Sequence, residues 1–142
     1  MLAEALLFLY TFFKSEGVMW RQYNPNPFGK RVDDCVVRAL AVALNLTWNG
    51  AFDLVANKAK QMGNMPHADA VWGAVLREHG FQRKAVPNTC PDCYTADDFC
   101  RDHPQGVYVL AFGGHVATVV DGLLFDTWNS SDESPQYYWR RR

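Results

Sequence analysis

Apolar residues follow a helical period in the first two thirds of the chain and a strand period in the last third. The segment from Cys35 to Leu44, CVVRALAVAL, has Arg38 as its only charge and is apolar on nearly every side, so a central buried helix is expected there, with Asp33 or Asp34 as N-cap. Trp48, Ala51, Phe52, Val55, Ala56 and Ala59 recur at helical spacing after Thr47 and predict a second helix. A third is expected from about Pro66 to His79, with Val71, Trp72, Val75 and Leu76 as its buried stripe and Gly80 as its stop. FQRKAV (81–86) reads as a short strand, and Thr95 to Asp98 as a capping box opening a short helix that Pro104 limits. VYVLAF (107–112), HVATVV (115–120) and LLFDTW (123–128) read as three strands joined by Gly113-Gly114 and Asp121-Gly122 turns. Tyr137, Tyr138 and Trp139 suggest a final edge strand or an exposed docking surface. The expected class is α+β in two layers, a central N-terminal helix and its neighbours packed on an antiparallel β-meander.

Composition narrows this picture. The 142 residues correspond to one domain, and 14 basic against 15 acidic side chains give a net charge of -1. No global field draws such a chain to nucleic acid or an anionic membrane, so neither is an expected partner. Four cysteines without a convincing secretory signal point to a reduced, cytoplasmic setting in which thiols serve reactivity or metal.

The stretch from Leu2 to Phe13, LAEALLFLYTFF, is about half the length of a membrane span. It lacks the basic flank and cleavage site of a signal peptide. Residues 1–18 therefore read as an apolar extension holding an ordinary packing helix. Alternatively they lie outside the native start, because Ser15 to Val18 can be encoded by purine-rich codons resembling a bacterial ribosome-binding site before Met19. The domain proper is 19–142, and its first part, 20–33, carries two Asn-Pro steps that predict an ordered loop.

The turn at Asp121-Gly122 carries the chemistry. A two-residue hairpin there sets His115 opposite Trp128 and Ala117 opposite Asp126. Side chains of one parity share a face, so Asp126 lies diagonal to His115 and within its reach. Asn129, of opposite parity, is an alternative partner if the strand ends or bulges after Trp128. Cys35 falls in the first turn of the central helix, where exposed N–H groups favour a thiolate, although Asp33 and Asp34 oppose it. Cys35 as nucleophile, His115 as proton shuttle and Asp126 as orienting carboxylate form a triad, with the Cys35 N–H as one oxyanion donor.

This order resembles the papain-like cysteine peptidases, and is most similar to small bacterial and phage-encoded proteins with segments like YNPNP, DDCVVRAL, GGHVATVVDG and FDTW. The resemblance spans roughly residues 20–139. It implies a cysteine-dependent peptidase, isopeptidase or amidase acting on a peptide or protein substrate without a cofactor, with Cys35, His115 and Asp126 at the catalytic positions. One departure stands out: the family places an oxyanion glutamine six residues before the cysteine, where this chain has Gly29. Gln22, Asn24 or Asn26 would have to substitute. The competing expectation is a non-catalytic papain-like binding module, serving as a phage or host interaction factor.

Cys90, Cys93, Cys100 and His103 form a separate C-x2-C-x6-C-x2-H cluster. Four soft ligands at this spacing can close a tetrahedral zinc site and staple the domain. The alternatives are buried or incidental thiols around a helix anchored by Phe99, or a redox pair at Cys90 and Cys93.

Overall fold

A computed structural model describes residues 19–142; the apolar extension and the question of its start lie outside the described residues. The chain runs β1 (Trp20–Gln22), α1 (Cys35–Ala43), α2 (Trp48–Met62), α3 (Asp69–Glu78), β2 (Phe81–Ala85), α4 (Ala96–Asp102), β3 (Val107–Phe112), β4 (His115–Val120), β5 (Leu123–Asp126) and β6 (Tyr137–Arg141). The class is α+β, with four helices and one six-stranded sheet in the order β1-β5-β4-β3-β6-β2.

The meander at the centre of the sheet forms as the turns predict. Asp121 and Gly122 both take positive φ (49° and 77°), the conformation that joins two strands by a two-residue loop. The resulting register pairs Val120 with Leu123 and Thr118 with Phe125. Three features depart from the expected sheet. It is mixed rather than antiparallel, because β1 emerges from the segment expected as loop and pairs in parallel with β5. β5 stops at Asp126, two residues early. β6 is an inner strand between β3 and β2, so Tyr137 to Trp139 are not an edge.

The two-layer expectation also changes, for a reason visible in the strands. Both parities of β3 and β4 are apolar, so both sheet faces need cover. On one face α1, α2 and α3 bury Val109, Ala111, Val116 and Trp139. On the other, α4 and its preceding loop bury Leu110, Phe112, Ala117, Val119 and Leu124 with Phe99 and Cys100. Thr95 and Asp98 form the expected capping box. Thr47 caps α2 through Gly50 N–H. The α2 stripe is narrower than its periodicity suggests: Ala51, Val55 and Ala59 are buried, but Phe52 is 45% exposed. The expected α3 stripe is buried throughout.

α1 is the central helix, with seven of its nine residues buried, Arg38 among them. Among the described residues no single helix is long and apolar enough to cross a membrane.

Candidate active site

Three elements deliver the expected chemistry to one place. Cys35 is the first residue of α1, His115 follows the Gly113-Gly114 turn as the first of β4, and Asp126 is the last of β5. His115 Nε2 lies 2.6 Å from Asp126 Oδ2. The diagonal contact predicted from the hairpin register is therefore present. Cys35 lies close enough to His115 for its thiol to act, with Asp126, on the charge of the imidazole. Asn129 does not reach the imidazole; its side-chain oxygen accepts from Ser131 N–H at 3.1 Å and Ser131 Oγ–H at 2.6 Å.

The electrostatics follow from these contacts. Burial of the imidazole, the largest single influence on His115, opposes the charged form. Hydrogen bonds to Asp126 and Cys35, and the charges on both, outweigh it and raise His115 to about 9. Burial likewise works against ionised Asp126, yet hydrogen bonds from His115 and Ser130, the imidazolium charge and the Thr127 N–H hold its carboxyl below the ordinary range. His115 therefore keeps its proton at neutral pH, between an ionised carboxylate and a thiol.

Arg38 is the residue whose role the sequence did not disclose. Its guanidinium forms an ion pair with Asp34, one turn back, and approaches Asp126 Oδ1 at 3.3 Å. Trp48 Nε1 donates to the other Asp34 oxygen at 2.8 Å. Asp34 occupies the N-cap position of α1, but its side chain makes no capping bond, contrary to expectation. Two consequences follow. The Asp34 charge is neutralised by Arg38 and does not oppose a thiolate beside it. Among the described residues the first N–H groups of α1, Cys35 N–H included, have neither intrahelical nor side-chain acceptors, which suits an oxyanion.

The expected substitutes for the missing glutamine behave differently from one another. Asn24 Nδ2 donates to Lys30 C=O at 3.0 Å, and Asn26 Oδ1 accepts from Phe28 and Lys30 N–H. Both side chains are spent on shaping the 24–30 loop, in which Gly29 is exposed with φ 65°. Gln22 is paired in register with Asp126, which sets it at the same end of the sheet as the triad.

A cleft of about 660 Å³ opens over Cys35 and His115. Trp48, Phe52, Trp72 and Gln136 are among the residues that line it. Trp128, 42% exposed, leans on the far side of the imidazole with ring centroids 5.0 Å apart, as its register position predicts. His67 is exposed and lines the cleft as well.

No protein-family model, curated protein or solved structure matches the chain. Function is therefore argued from the geometry of this site.

The second cysteine cluster is not assembled. Cys100 is fully buried in the core beneath α4, while Cys90 and Cys93 are exposed, and none of the three is in a disulfide. His103 stacks on Phe99 at 3.8 Å and its Nδ1 hydrogen-bonds to Phe99 C=O. Among the described residues no group of three or more His, Cys, Asp and Glu side chains is arranged to hold a metal ion.

Proposed function

We propose that this chain is a cysteine-dependent hydrolase of papain-like type that cleaves peptide or isopeptide bonds through an acyl-enzyme on Cys35. One observation carries the reading: an imidazole hydrogen-bonded to Asp126 shares one cleft with Cys35, the first residue of a buried helix. The order of the parts, a cysteine opening the central helix and then a histidine and a carboxylate on neighbouring strands, supports the papain-like assignment.

In the mechanism this arrangement supports, the Cys35 thiolate attacks the acyl carbon and the carbonyl oxygen becomes an oxyanion facing the Cys35 N–H. His115 passes its proton to the departing amine as the C–N bond breaks, leaving a thioester on Cys35. Neutral His115 then takes a proton from water, whose oxygen attacks the thioester. The C–S bond breaks, the acid leaves, and the thiolate and imidazolium are restored. Asp126 holds the ring throughout and compensates its charge.

A second reading, a papain-like binding module without catalysis, draws on Gly29 and on the commitment of Asn24 and Asn26 to their own loop. Iodoacetamide alkylation of Cys35 decides between them. At neutral pH the hydrolase predicts alkylation about tenfold or more faster than free cysteine, because free thiol is only a few per cent ionised there, with the excess lost in His115→Ala. A Cys35 that reacts no faster than free cysteine supports the binding module instead.

A further inference from the structure

We propose that the cleft selects a polypeptide segment carrying a lysine or arginine side chain next to the acyl group presented to Cys35. This rests on the hydrolase reading above and names the substrate class it serves. Three carboxylates line the cleft, Asp33, Asp34 and Asp69, and among the described residues no lysine or arginine does. Asp34 is already neutralised by Arg38. Asp33 and Asp69 are exposed and have no ion-pair partner among the described residues. His115, which keeps its proton at neutral pH, also lies on the lining. A cationic side chain entering here meets two uncompensated negative charges at the mouth of a concave site, where such fields are focused.

The apolar part of the lining fits the same ligand. Trp48 and Phe52 stack at 5.2 Å between centroids, leaving Phe52 45% exposed although helical periodicity marks it for the core. An exposed aromatic pair suits the alkyl stem of a long basic side chain and the face of its cation.

The test uses tripeptidyl acyloxymethyl ketones, whose carboxylate leaving group departs as Sγ bonds to the methylene carbon, trapping Cys35 without turnover. Lysine, norleucine or glutamate is placed in turn at each of the three positions, with alanine elsewhere, and labelling of Cys35 is timed. The expected result is that at one position lysine labels about tenfold or more faster than norleucine, an advantage cut to about twofold at 1 M salt, where charges are screened within about 3 Å, and abolished in Asp33→Asn, Asp69→Asn. Labelling that depends on His115 but is as fast with norleucine as with lysine at every position overturns the inference and leaves the hydrolase standing. Labelling no faster in wild type than in His115→Ala removes both.

Discussion

Asp126 accepts from four donors, Arg38 and Thr127 N–H at Oδ1 and His115 and Ser130 at Oδ2, and is only 2% exposed. A carboxylate buried this deeply is tolerated because each oxygen has two partners. Its main-chain carbonyl is used as well, by Tyr23 N–H at 2.9 Å and Trp20 Nε1 at 3.2 Å, so β1 fixes the backbone from which the carboxylate projects. Arg38 joins this residue to Asp34 across the α1–β5 contact. Replacing it with methionine keeps the volume but strands two carboxylates, so Arg38→Met is expected to cost about 3–5 kcal/mol in urea unfolding, against a small effect if the guanidinium is dispensable. At this scale the sequence was informative where geometry is local. Hairpin parity is a rigid rule, and it placed Asp126 and Trp128 against His115. Arg38 drew notice as the lone charge in an apolar helix, but its second partner, Asp126, is 88 residues away and no periodicity encodes that distance.

Helices show how packing overrides propensity. Gly73 sits inside α3, where alanine is ordinarily favoured by about 1 kcal/mol. A Cβ at this position would lie 3.0 Å from Trp139 Cζ2, and Trp139 is itself buried between α3 and the sheet. Overpacking of this kind costs about 1–3 kcal/mol, so Gly73→Ala is expected to lower the unfolding midpoint; a raised midpoint would mean that the indole moves aside freely. Element boundaries marked by capping chemistry, at Thr47 and Thr95, were readable because the signal lies within four residues of the helix it starts. β1 was not readable. Three residues are too few for alternation, and its strand character comes entirely from β5, about a hundred positions later. Asp34 misled for the opposite reason: its residue type fits a cap, but a buried guanidinium competes for the side chain.

At the scale of the whole molecule, the triad couples protonation to folding. His115 is raised from 6.5 to about 9, so the folded state binds that proton more tightly than the unfolded chain does. The resulting stabilisation is complete below about pH 6.5 and is lost as pH rises toward 9. Asp126, lowered from 3.8, contributes above that value and loses its contribution as pH falls through the depressed one. Both contributions coexist between about pH 4 and 6.5. Thermal midpoints measured from pH 6 to 9 are expected to fall in wild type and to fall less in His115→Gln; parallel curves would show that His115 is not the titrating group. The class and the central meander could be read from the chain, since each strand there meets its sequence neighbour. The order of the remaining strands could not, because β1 and β6 are placed by long-range pairing that leaves no local mark.

That placement of β6 bears on how the molecule is made. Every element of the triad, and the Ser130 that braces it, is synthesised before Tyr137 emerges. β2, by contrast, has β6 as its only neighbour in the sheet among the described residues. A nascent chain reaching residue 130 can thus assemble α1 against β4 and β5 while β2 still presents an unpaired edge, the kind of surface on which growing chains associate wrongly. The elements that carry the triad thus precede β6 in the chain, whereas β2 joins the sheet only when β6 is in place.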